Sequence, residues 1–325
     1  MVNVWFFIFL SGLPSILNSL FSQKVNLSLL FGIISAILWG LHDFFIRIIS
    51  QRLGVLNSLP WVLFFGLLFL GVFYLLFFYN SSEYQNNSLN TLLLNSEIIL
   101  SGFFFALASL ALFKAFKSGP IALVAPIIGI YPILSLFLAF IEGIRVKPII
   151  WLMVPIVVAG ISLIGANTKP QISINQSKLD NDLKISNTHL VAVVFSLIAA
   201  VSFSLTFHLG QKASTSHHIL DLTLYSRLIT FIFVVFISII MQSITFPKKN
   251  EFIVLAIMGF LDVCALAFVF SAGNLPMPTL APVASANFGI FTLIFAYFIL
   301  GEKLNAFQVV GIVSVFFCLT IILLV

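Results

Sequence analysis

Residues 281–325 read APVASANFGIFTLIFAYFILGEKLNAFQVVGIVSVFFCLTIILLV. An apolar run from Ala281 to Leu300 meets Gly301-Glu302-Lys303, and a second apolar run follows from Ala306 to Val325. Roughly 20 apolar residues suffice to cross a bilayer as a helix, so the stretch reads as a helix, a tight acidic hairpin and another helix. A similar unit lies mid-chain, where Ile121 to Ile141 is followed by Glu142-Gly143-Ile144-Arg145 and then by Pro148 to Ile164. With Glu142 laid on Glu302 the offset is 160 residues, close to half of the 325-residue chain. One architecture is written twice.

Composition fixes the medium. Hydrophobic residues make up 61% of the chain against 8% charged, more apolar surface than a water-soluble domain could hide. Unpaired backbone groups are too costly in hydrocarbon for anything but helices or a closed barrel, and the continuous apolar runs lack barrel-type alternation. The fold class is therefore all-α, a polytopic integral membrane protein. The net charge of +5 belongs to the membrane's orientation rules rather than to nucleic acid, since no basic run carries interleaved aromatics. Cys264 and Cys318 sit inside apolar runs and read as packing residues, with no disulfide and no metal site implied.

Ten spans are expected: Leu27–Ile49, Leu56–Tyr79, Ile98–Phe116, Ile121–Ile141, Pro148–Ala166, Leu190–Leu209, Ile219–Phe246, Phe252–Ala272, Leu280–Leu300 and Ala306–Val325. They group into a repeat at 27–166, a polar linker at 167–188 and a second repeat at 189–325, five helices each. Residues 1–26 form an apolar N-terminal segment, read as an extra helix, an interfacial segment or leader-like sequence. Five is odd, so the halves enter the membrane from opposite sides, an inverted repeat of the kind carriers use. Ten of the lysines and arginines then fall on one side against five on the other, which favours external ends for the ten-helix core.

Four features resemble the EamA-type branch of the drug/metabolite transporter superfamily: Trp39-Gly40 in the first span, Lys117-Ser118-Gly119-Pro120 between the third and fourth, and the hairpins at Glu142 and Glu302. The resemblance covers about residues 27 to 325 and implies a transporter of small metabolites. It departs at Leu41-His42-Asp43, which places a titratable pair where such transporters commonly have a small polar residue. It also implies cytoplasmic termini, against the lysine and arginine distribution.

Ionisable residues inside a span cost about 3 kcal/mol at mid-helix, so they are the working candidates. Trp39, Asp43 and Arg47 recur every four residues on one stripe of the first helix, with His42 beside them. The stripe should face a cavity, or Asp43 and Arg47 should neutralise each other. Asp262 lies mid-span with no partner in its own helix, so it must find one across an interface or in water; a proton-relay or substrate-amine role fits, against a structural bond to a neighbouring helix, and Asp262→Asn is expected to abolish pH-driven flux. Arg227 suits a carboxylate or phosphate, or pairs with Asp221. His208 with Gln211 behind it, Lys114 at the end of the third span, Tyr131 and Asn287 complete the set as titratable, anion-meeting or helix-joining groups. Pro126 and Pro132 in the fourth span, and Pro276, Pro278 and Pro282 around the ninth, supply bending points. Glu142 and Glu302 orient their turns.

These features describe a secondary transporter moving a small metabolite, for example an amino acid or a similar polar or amphipathic solute, by alternating access. Protons are the candidate coupling ion. The partners are substrate and lipid bilayer, in a plasma (bacterial inner) membrane, as monomer or homodimer, with no cofactor. No Gly-Lys-Ser/Thr phosphate loop, HExxH or nucleophile-elbow motif points to ATP use or catalysis. The alternative classes are an intramembrane lipid-modifying enzyme or a channel.

Overall fold

The structure is a computed structural model that describes residues 26–77, 95–141, 178–275, 280–301 and 304–324, with 143, 148, 151, 152, 155, 156, 159, 160, 163 and 278. Residues 1–25 of the N-terminal segment, Glu142, Arg145, Glu302 and Lys303 lie outside the described residues. The helices are α1 (Asn26–Leu53), α2 (Val55–Phe77), α3 (Ser96–Ser118), α4 (Ile121–Ile128), α5 (Tyr131–Ile141), α6 (Lys178–Ser214), α7 (Ile219–Ile240), α8 (Lys249–Ser271), α9 (Leu280–Ser285), α10 (Phe288–Phe295) and α11 (Ala306–Leu324). Among the described residues there is no strand, and seven helical stretches are long and apolar enough to cross a membrane. Shorter apolar helices cover Ile121–Ser135 and Ala306–Cys318.

The helix ends follow from their capping residues. Asn95 accepts from the Glu97 and Ile98 amides at 2.8 and 3.1 Å, which opens α3, and Gly119-Pro120 closes it. Asn305 and Gln308 cap each other reciprocally at 3.0 and 2.8 Å ahead of α11. Gly54 and Gly301 take positive φ values of 81° and 66°, the left-handed turns that end α1 and the π-helical stretch Ala296–Leu300. The seventh span is shorter than expected: α7 stops at Ile240, and residues 242–248 run back as a loop on which Trp61 and Asn57 close. Residues 178–188, read as linker, begin a helix that continues through the sixth span.

The exposed surface is apolar, as lipid demands, and polar side chains are held among the apolar residues inside. On α7 the buried face carries Thr223, Ser226, Arg227, Thr230 and Ser238, while Ile232, Phe236 and Ile239 are exposed. The inner faces lock by small residues and interhelical hydrogen bonds. Ser35 donates to the Ala265 carbonyl (2.9 Å), Thr292 to Gly40 (3.2 Å) and Thr230 to Gly102 (2.8 Å), each such bond giving about 0.6 kcal/mol in a bilayer.

The helix pairs that join the two halves match one another. α1 packs on α8 and α3 on α6; α2 packs on α8 and α3 on α7; α1 packs on α9 and α10, and α6 on α4 and α5. The fourth and ninth spans are each broken near the middle, at Gly129-Ile130 and at Ala286-Asn287. The breaks lie a few residues beyond Pro126 and Pro282. Pro282 has no amide to give the Pro278 carbonyl, which accepts instead from Gln211 Nε2 at 2.8 Å and from the Ala281 amide at 3.4 Å.

Tyr131 holds the two broken spans together. Its hydroxyl donates to the Pro282 carbonyl at 2.7 Å and sits 2.5 Å from Ser285 Oγ. Tyr131→Phe keeps the ring and is expected to lower stability by about 1 kcal/mol, read as a shift in the unfolding midpoint of the purified protein. An unchanged midpoint would mean that the hydroxyl joins nothing.

Candidate functional site

Trp39 and Asp43 of the stripe, with His42 beside them, turn toward the middle of the bundle and line a central cavity. α8 presents Asp262 to the same space, α5 presents Tyr131, and α3 and α6 present Phe105, Phe113, Phe203 and Phe207. Only about 30 Å³ is reachable by the centre of a water-sized sphere, room for a water or two.

Two charged constellations meet there. Arg227 Nη2 and Asp262 Oδ2 are 2.9 Å apart, with side chains 1% and 7% exposed. Trp39 Nε1 donates to Asp262 Oδ1 at 3.2 Å, so both carboxylate oxygens are used. Nη2 also approaches the Asp262 carbonyl at 3.5 Å, and the guanidinium lies over the Phe105 ring at 3.7 Å. Nε and Nη1 of Arg227 have no partner. Asp262 therefore finds its expected partner across a helix interface. Arg227 pairs with Asp262 on α8 rather than with Asp221 on its own helix, because the α7–α8 contact brings the two groups together at mid-depth.

The second constellation is a dyad. His42 Nδ1 lies 3.0 Å from Asp43 Oδ1, both side chains being 4% exposed. His42 Nε2 has no partner. Asp43 is thus held by His42 and not by Arg47, whose Nη1 donates to the Phe116 carbonyl at 2.7 Å near the end of α3. Arg47 is buried but lies one turn off the cavity.

The other candidates do not line the cavity. Gln211 donates to the Val269 and Pro278 carbonyls and His208 is half-buried. Asn287 marks the break in the ninth span and donates to the Ala284 carbonyl at 3.3 Å. Lys114 is half-buried and Lys117 exposed at the end of α3. Arg52, Lys248 and Lys249 gather around one recess at one end of the bundle, and at the other end Lys212 pairs with Glu97 at 3.1 Å. Cys264 and Cys318 are free thiols, and among the described residues no cluster of His, Cys, Asp and Glu could hold a metal.

The aromatic lining is what sequence reasoning missed. Phe207 stacks on Phe203 (5.7 Å, 7°) and packs against Trp39 (5.4 Å) and Tyr131 (5.1 Å), while Phe113 meets the His42 ring edge-on at 6.3 Å. With 38 phenylalanines in the chain, residue type alone carries no signal for the few that face inward.

A bundle of membrane-crossing helices that keeps ion-paired side chains around a central cavity defines a polytopic membrane protein. The sequence pattern of the EamA-like transporter family matches residues 26–166 and 190–324, and the chain belongs to that family. It is a membrane transporter of the drug/metabolite transporter superfamily, embedded in a lipid bilayer and acting on small molecules. Among solved structures, one described as "Crystal structure of protein" superposes with a TM-score of 0.65 at 13% identity, covering 91% of this chain and 96% of its own. None of the curated proteins matches the chain.

Proposed function

We propose that the protein is a secondary transporter whose substrate binds in the central cavity and whose coupling proton resides on the His42–Asp43 dyad. The observation that carries this reading is the buried Nε2 of His42, a titratable nitrogen left open beside the cavity while its other nitrogen is held by Asp43. Asp262, which residue pattern alone favours for the proton, has both oxygens engaged by Arg227 and Trp39 and serves better as a fixed charge. Ten spans in two inverted repeats, 27–166 and 189–325 around the linker, are supported by the matched helix pairs and by the breaks in both the fourth and ninth spans. Close approaches match as well. Gly259 of α8 sits against Gly66 of α2, and Gly102 of α3 sits against Ser226 of α7. Rocking one half against the other would open the cavity to each side in turn, in a plasma (bacterial inner) membrane. Counterflow distinguishes such a carrier from a channel, and unaltered solute distinguishes it from an enzyme.

The test starts from a metabolite whose distribution between cells and medium changes with expression of the protein. In vesicles, the wild type should show both counterflow and uptake or efflux driven by a pH gradient. Asp43→Asn should lose the pH-driven component by at least about tenfold, because the dyad no longer has a carboxylate to hold a charged imidazole. Undiminished pH-driven flux in that variant would remove the dyad from coupling.

A further inference from the structure

A central substrate site leaves the substrate's chemistry open, and a substrate class can be assigned only if that cavity is where the substrate binds. With Asp43 ionised, His42 meets it through Nδ1–H, since a carboxylate only accepts. Neutral His42 then presents a lone pair at Nε2, and that atom is buried and unpartnered in a side chain that lines the cavity. The dyad carries one negative charge in this state. It is neutralised by a proton on Nε2 or by a cation that donates a hydrogen bond there.

The surroundings select between ligand classes. α3 presents Phe105, Ser109 and Phe113, α6 presents Phe203 and Phe207, α2 presents Leu59 and Val62, and α10 presents Phe288. The titratable or charged groups facing the dyad are Asp262 from α8 and Tyr131 from α5, with Arg227 of α7 held behind Asp262. The Asp43 carboxylate, which no cation neutralises, and several ring faces attract a cation, while Asp262 is already balanced by Arg227. An anion finds no open cation among the lining residues, because Arg227 is engaged by Asp262 at 2.9 Å and by the Phe105 face at 3.7 Å and does not line the cavity.

We propose that the substrate class is a protonated amine with an apolar or aromatic body and no free carboxylate, and that it competes with a proton for Nε2 of His42. Amine and proton then occupy the dyad alternately, so each amine carried one way is exchanged for a proton carried the other. A quaternary ammonium has the charge but no N–H to give, so the site discriminates against it.

The experiment is calorimetric titration of the purified full chain with phenethylamine, its N,N,N-trimethyl derivative and 3-phenylpropionate, in buffers of differing ionisation enthalpy. Phenethylamine should bind at least about tenfold more tightly than either analogue, release a proton when it binds at acidic pH, and weaken by up to about tenfold for each unit the pH is lowered across the acidic part of the series. His42→Gln should weaken phenethylamine by about tenfold and remove the pH dependence. If that variant fails to fold, the wild-type pH series decides. Phenylpropionate binding as tightly as the amine, absence of amine binding, or amine binding without proton release would each overturn the assignment. Phenylpropionate binding that His42→Gln weakens would overturn the amine class alone and leave a central substrate site standing. The carrier reading itself fails only if the counterflow assay shows no exchange.

Discussion

Arg227→Met is expected to destabilise the protein by about 3–5 kcal/mol, the cost of leaving one member of a buried ion pair without its partner. Asp262 would keep only the Trp39 indole as a donor, at 3.2 Å, in a position 7% exposed. Arg227 itself gains little net energy from being there, since its desolvation offsets most of its attraction to Asp262, and its Nε and Nη1 find no partner. The double variant Arg227→Met/Asp262→Leu removes both charges and should recover most of the loss. Urea unfolding of the three proteins in one detergent decides the matter. A single variant as stable as the double would show that the pair is not coupled. The same comparison separates structure from function. If the fixed charge of Asp262 shapes the cavity's field, the stable double variant should still lose transport.

This pair also marks how far residue patterns reach. Asp262 announces itself because a carboxylate inside an apolar run must be compensated, and that inference needs no structure. Its partner is 35 positions away on another helix, and the choice between Asp221 and Asp262 for Arg227 depends on the register of α7 against α8, which no local spacing encodes. Trp39 and Asp43 share a face because a four-residue repeat on one helix is a local geometric fact, but Arg47, the third member of that stripe, lies off the cavity. Pairing Asp43 with Arg47 by the same spacing fails because a closer histidine and a distant carbonyl offer better geometry. The prolines signal breaks in the fourth and ninth spans, yet the breaks fall at Gly129 and Asn287, where the chain also has to accommodate a neighbouring helix.

The tight crossing of α2 and α8 yields the other large effect. A Cβ on Gly259 would lie 2.5 Å from the Val62 carbonyl oxygen and 2.7 Å from the Gly66 amide nitrogen, both backbone atoms that cannot rotate aside. Gly259→Val must therefore push the two helices apart, at about 1–3 kcal/mol or more for an overpacked core. Gly71, further along α2, has nothing within 4 Å of the same position, so Gly71→Val should stay within about 0.5 kcal/mol of wild type. The displacement at Gly259 does not stop at packing. Asp262 lies three residues on, nearly one turn along the same helix, and its 3.2 Å bond from Trp39 spans from α1 to α8. Moving α8 by the width of a methyl group stretches that bond and tilts Asp262 in the cavity. Binding of phenethylamine should then fall more than the stability loss accounts for, with the deficit absent in Gly71→Val. Equal binding by both glycine variants would mean that the helix crossing sets stability alone and that the cavity tolerates a displaced α8.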